Sequence, residues 1–134
     1  MSFVQRLKDC NKYKESNFFK FYINNYHVGF IKKKNLNIIN KFPNFFFLKK
    51  KKIFLKKEVN NFQKRTHAIN KVFNFLLKKK LISSKHREFF PVFKSFKSKP
   101  LLKVQRLMGP FFGFQFFGVH LNGFLKKNNK YFMW

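Results

Sequence analysis

Apolar positions Phe3, Leu7 and Cys10 recur at helical spacing, and Ser2 with Gln5 makes an N-terminal capping pair, so the pattern predicts a first helix over residues 2–14. Ser16 caps a second predicted helix, with Phe18, Phe19, Tyr22, Ile23 and Tyr26 on one broad face and a stop near His27, ahead of Gly29. The stretch from Asn35 to Ile39 partly alternates, Phe42-Pro43-Asn44 supplies turn chemistry, and apolar runs follow at residues 45–48 and 53–55, which together predict a hairpin over residues 35–55. Lys49 to Lys52 interrupt its second strand, as a solvated loop or as an edge. Thr66 is the expected cap of a third helix carrying Ile69, Val72, Phe73, Leu76, Leu77 and Leu81.

Residues 83–99 are mixed in composition, hold Pro91, and read as an irregular connection. Beyond Leu101 the period shortens to two. Leu102 and Val104 flank Lys103, then Phe112, Phe114 and Phe116 alternate, and Phe117, Val119 and Leu121 follow in a shifted register, the expected mark of a bulged strand. Four of the five glycines lie between Gly109 and Gly123, which fits turns. Leu107 to Leu125 is also a stretch of nineteen residues without formal charge, and so a candidate membrane span, although Pro110, Gln115, His120 and Asn122 would all sit in hydrocarbon.

Charge changes the picture more than pattern does. The chain of 134 residues carries 31 Lys+Arg against 4 Asp+Glu, a formal +27, and self-repulsion at that density calls for an acidic partner, of which a nucleic-acid backbone is the densest. Hydrophobic residues make up 45%, 24 of them Phe, too many for a disordered basic tail. Lys, Asn, Phe and Ile abound while Ala68 is the one alanine, a bias expected of an A+T-rich organelle genome. The first twenty residues lack an apolar core flanked for secretion, so no secretory leader is expected.

Catalytic chemistry is hard to assemble from these residues. Asp9, Glu15, Glu58 and Glu88 are widely spaced, no Gly-rich phosphate loop or His-Glu-x-x-His run occurs, and Cys10 with His27, His67, His86 and His120 has no zinc spacing. The expectation is a protein that is not an enzyme and uses no cofactor or metal. Lysine clusters interleaved with aromatics at residues 32–34, 49–52, 56–57, 78–80 and 126–127 suit phosphate neutralisation, with Phe rings as core or as stacking surfaces for unpaired bases.

Three stretches in order resemble the small-subunit ribosomal protein eight family. Phe3-Val4-Gln5-Arg6-Leu7-Lys8 looks like that family's opening helix, Ser16 through Gly29-Phe30-Ile31 is similar to its second helix, and Ser98-Lys99-Pro100-Leu101-Leu102-Lys103-Val104 resembles the start of its C-terminal domain. Phe114 to Leu125 looks like its glycine-bearing strand and loop, and Tyr131-Phe132-Met133-Trp134 like its aromatic ending. Where the family has a Ser-Thr-Ser-x-Gly loop, this chain has Val119, His120, Leu121, Asn122 and Gly123, so only the glycine matches.

The resemblance implies an α+β protein with an N-terminal two-helix plus hairpin unit (1–56), a helical expansion (57–95) and a mainly β C-terminal unit (96–134). It implies a structural constituent of the mitochondrial small ribosomal subunit that positions central-domain rRNA. The implied RNA-binding residues are Arg6, Lys8, Ser98, Lys99, Lys103, His120, Asn122 and Gly123. Implied partners are small-subunit rRNA and neighbouring mitochondrial ribosomal proteins, with no small-molecule substrate and a membrane disfavoured. Alternatives are another mitochondrial ribosomal protein of either subunit, or a single-span subunit of an organelle membrane complex.

Overall fold

Residues 18–23 alternate once they are read with period two: Phe19, Phe21 and Ile23 turn one way, Phe18, Lys20 and Tyr22 the other. In the computed structural model, which describes residues 2–10, 14–83, 88–119 and 121–133, they form strand β1 (Phe18–Ile23). The two-residue turn Asn24-Asn25, with Asn24 at φ 54°, returns the chain into β2 (Tyr26–Lys32), where a second helix was expected. Aromatic and branched side chains favour the pleat, and asparagine accepts the left-handed backbone that a tight hairpin requires.

The first helix is shorter than expected: α1 spans Phe3–Cys10, and the Ser2 hydroxyl accepts the Gln5 N–H at 3.2 Å, as the capping pair predicts. The first half of the expected hairpin at residues 35–55 is a single helical turn, α2 (Leu36–Ile39). The hairpin proper joins β3 (Phe46–Lys49) to β4 (Lys52–Leu55), with Lys50 at φ 55°, so the lysine run forms the turn between two strands. Parallel pairing of β1 with β4 completes a four-stranded sheet in the order β2-β1-β4-β3.

Helix α3 (Phe62–Lys78) starts earlier than its apolar stripe suggested, because the Asn61 side chain caps it by accepting the Lys64 N–H at 2.9 Å. Thr66 is instead inside the helix and buried, where its hydroxyl accepts the Lys103 N–H at 3.2 Å. Arg65 is also buried. Its guanidinium donates to the carbonyls of Asn60 (2.8 Å), Val59 (3.4 Å) and Leu101 (3.5 Å), which keeps a desolvated cation hydrogen-bonded while burial lowers its pKa. Both side chains tie α3 to a two-stranded sheet of β5 (Phe89–Val92) and β6 (Leu102–Gln105), so the expected irregular connection holds a strand, with Pro91 opposite Lys103.

The bulged strand expected over Phe112 to Leu121 does not form among the described residues. A 3₁₀ turn (Arg106–Met108) runs into the one-turn helix α4 (Gly109–Phe112), and Gly113 at φ +60° stops it. A Cβ on Gly113 would lie 2.2 Å from the Phe30 carbonyl oxygen, while the Gly113 carbonyl accepts the Phe30 N–H at 3.3 Å, so only glycine lets this loop touch β2. Phe112 thereby enters the core against Phe21 (5.3 Å between centroids), Phe114 (5.2 Å) and Phe46 (6.1 Å). The same break removes the candidate span, and no helix among the described residues is long and apolar enough to cross a membrane. A separate hairpin, β7 (Phe124–Lys127) and β8 (Lys130–Met133), follows.

Candidate functional site

The inner face of the four-stranded sheet is core: Phe21, Ile23, Ile31 and Ile53 are fully buried. The outer face carries the chemistry, and the strand register orders it in rows. His27, Tyr22, Phe54 and Phe47 stand opposite one another across β2, β1, β4 and β3. Tyr22 stacks on Phe54 at 5.2 Å and 23°, Phe47 stacks on Phe54 at 5.1 Å and 14°, and Tyr22 meets His27 at 5.4 Å. The adjacent row is Phe30, Lys20, Lys52 and Lys49. Opposite residues on neighbouring strands lie about 5 Å apart, so the sheet sets an aromatic strip beside a basic strip without any loop having to position them.

The two strips touch. Lys52 Nζ lies 5.3 Å from the centre of the Tyr22 ring, His27 packs edge-on against Phe30 at 4.5 Å, and Phe30 meets Phe18 at 6.4 Å. At the basic end the surface sinks into a cleft of about 530 Å³ between the β3–β4 turn and the start of β1, lined by Phe18, Phe30, Lys20, Lys50, Lys51 and Lys52 with Glu15 and Ser16 at its rim. Glu15 is the one acid there. Its carboxylate pairs with Lys20 Nζ at 2.7 Å, and that hydrogen bond and charge hold its pKa below the ordinary 4.5. Four ammonium groups against one carboxylate leave the cleft strongly positive, so an anion entering it is attracted by several charges at once while rings wall its sides.

The residues expected to bind RNA are dispersed. Arg6 and Lys8 are exposed on α1; Ser98 closes a turn, its hydroxyl donating to the Ser95 carbonyl at 2.8 Å; Lys99 is exposed beyond it. Lys103 lies on β6 with its ammonium 5.5 Å from the Phe89 ring centre, and Asn122 and Gly123 are exposed just before β7. His120, like His86 and Trp134, lies outside the described residues. None of the described ones lines the basic cleft. The cleft as a unit was missed because the helical reading of residues 18–26 keeps Phe18 and Tyr22 on one face but turns Lys20 to the opposite one. The Asn24-Asn25 pair was the hairpin signal that could have placed them on one face.

Among the described residues, no three side chains of His, Cys, Asp or Glu gather where they could hold a metal ion. A second cleft of about 560 Å³ is walled by Phe90, Phe114 and Phe116 and bordered by Arg106, which pairs with Glu88 at 2.8 Å.

Residues 2–116 match the model of a domain of unknown function, DUF4743, and the chain belongs to that family. Nudix hydrolase 24, chloroplastic, of Arabidopsis thaliana is 26% identical over 136 residues, an alignment covering 98% of this chain and 37% of the relative. Nudix hydrolase 20, chloroplastic, of the same plant is 25% identical over 143 residues, covering 98% and 38%. The chain thus spans less than two-fifths of the length of these relatives.

These matches overturn the ribosomal resemblance and what followed from it: the structural role in the mitochondrial small subunit, the rRNA and ribosomal-protein partners, the exclusion of a small-molecule substrate, and the exclusion of an enzyme. The physical source of the error is visible. The quoted motifs are short and built from the residue types that dominate this composition, and the one read as a second helix is a β-hairpin. Both relatives are named for an organelle, the chloroplast.

Proposed function

We propose that this chain is the substrate-gripping unit of a Nudix-type hydrolase, and that it holds an anionic small molecule bearing a planar ring on the outer face of its four-stranded sheet. The observation that carries this reading is the register-fixed pairing of the Tyr22–Phe54–Phe47 stack with the lysines at the cleft. The anionic groups would sit among Lys20, Lys50, Lys51 and Lys52, and the ring would lie on the aromatic strip, which stacks without demanding one ring identity. The four acids of the chain stand singly along the sequence, so groups for the bond-breaking step would come from outside this stretch. We place the protein in an organelle, in keeping with a residue usage of the kind an A+T-rich organelle genome encodes.

The test is equilibrium binding of two probes, inorganic pyrophosphate and a nucleoside diphosphate, at low and moderate salt. The ring-bearing probe is expected to bind about tenfold more tightly. Tyr22→Ala with Phe54→Ala should erase that difference, and Lys50→Gln with Lys51→Gln should weaken both probes. Equal affinity for the two probes, or binding indifferent to the lysine pair, would overturn the reading.

A further inference from the structure

The hairpin β7/β8 differs from every other strand pair in that all eight of its strand residues are exposed. Phe124 (63%), Leu125 (62%), Tyr131 (65%), Phe132 (53%) and Met133 (72%) present large apolar surfaces to solvent. Pairing sets Phe124 opposite Met133 and Leu125 opposite Phe132, with Lys126, Lys127 and Lys130 toward the Asn128-Asn129 turn, so the ribbon is apolar at its open end and basic at its tip. A two-stranded hairpin is at best marginally stable in water, and this one becomes more favourable once its apolar end is covered.

We propose that this hairpin lies on an anionic lipid surface, with its apolar end at the boundary of the acyl chains and its lysines among the phosphates. Three observations select lipid. Glu88 is the last acidic residue of the sequence, so no acidic side chain within the final third of the chain opposes a negative surface. The charged residues of the hairpin are three lysines and no arginine, whereas the buried centres of protein interfaces favour Arg and deplete Lys. A lysine stem can lie along apolar surface while its ammonium reaches out to a headgroup; here the Lys126 ammonium lies over the Tyr131 ring, 5.5 Å from its centre, and would swing outward to a phosphate. The depth is limited by the backbone: unpaired hairpin edges cannot enter hydrocarbon, so the ribbon rests at the interface and spans nothing. This surface is independent of the sheet-face cleft, and either proposal can fail alone.

The test uses the full chain with vesicles of phosphatidylcholine alone or with about 30% phosphatidylglycerol, read by co-sedimentation and by Trp134 emission, since the chain's single tryptophan follows Met133. Partition is expected into the anionic vesicles only, with a blue shift of Trp134 and quenching by brominated acyl chains. Leu125→Ser with Phe132→Ser keeps the charge and, on an exposed ribbon, spares the core; it should lower partition about tenfold. Lys126→Gln, Lys127→Gln and Lys130→Gln together should lower it more than the same change at Lys78, Lys79 and Lys80, which removes equal charge elsewhere. Partition unchanged by the serine pair, an absent blue shift, or equal loss from the two lysine triples would overturn the proposal and leave only diffuse attraction of a +27 chain. No vesicle binding, with the serine pair instead altering the chain's size on a sizing column, would overturn it in favour of a protein contact.

Discussion

The four-stranded sheet and the C-terminal hairpin are built from the same materials, Phe, Tyr, Leu and Lys in short strands joined by Asn or Lys turns, yet they end in opposite states. In the sheet one face is sealed: Phe21 and Phe46 meet Phe112 from α4, Ile53 is buried in the same core, and the other face is left to display rings and ammonium groups. In the hairpin neither face is sealed. The difference lies in what covers each ribbon. Gly113, by letting the α4 loop touch β2, delivers Phe112 to the sheet, and a sheet with one buried face has its register fixed, because slipping by one residue would turn Phe21 outward and Tyr22 inward. The rows of the candidate site are a by-product of that buried face.

The comparison breaks most sharply at Phe112. Phe112→Ala empties a fully buried position among four rings and is expected to cost about 3–5 kcal/mol, read as a shift in the urea midpoint, whereas Phe124→Ala in the hairpin should stay within about 0.5 kcal/mol. Similar costs at the two positions would mean that the hairpin is packed as the sheet is. Arg65→Met should follow at about 2–3 kcal/mol, since it leaves the Asn60, Val59 and Leu101 carbonyls without this donor at the junction of α3 and β6.

Smaller again is the effect of opening the strand turn. Asn24→Val puts a branched residue at φ 54° and should destabilise by about 1–2 kcal/mol, with weaker protection of the β1 and β2 amides in hydrogen exchange; unchanged protection would show that the hairpin does not depend on this turn.

The smallest effect is the pH response of Glu15. Its folded pKa is lowered by Lys20, so its ion pair contributes stability above the unfolded value near 4.5 and loses it as pH falls through the lower folded value. An NMR titration should find the Glu15 midpoint below 4.5, moving back toward it in Lys20→Gln. Glu15→Gln should raise pyrophosphate affinity a few-fold at neutral pH by removing the carboxylate from the cleft. An unshifted midpoint would mean that the pair does not persist in solution.

Part of the fold was legible from local chemistry. The α+β class, the capped start of α1 and the apolar stripe of α3 all follow from side chains near in sequence, whereas the glycine-bearing stretch, expected as turns and strand, opens with the helical turn α4. Between Phe18 and Tyr26 the hydrophobic pattern was ambiguous, since a run this rich in aromatics satisfies a helical period and an alternating one equally, and the Asn24-Asn25 turn with pairing to β2 and β4 decides which is formed. The candidate site was hidden for the same reason. Lys20 and Lys52 are 32 residues apart in the sequence and stand opposite each other only because β1 and β4 pair in parallel, a contact with no local signature. The run Lys49 to Lys52 could be seen, but not that rings would flank it.

By itself the sequence determined the charge, the abundance of aromatic side chains, the dispersal of the four acids and the local starts and stops of several elements, because these depend on residue identity and on neighbours within a turn or two. The tertiary structure decided which face of each strand is buried, that Phe112 seals one sheet while the last hairpin stays open, and that lysines and rings line up in adjacent rows. Those outcomes depend on pairings and burial between distant segments, where one glycine's missing Cβ sets how closely two backbones can meet.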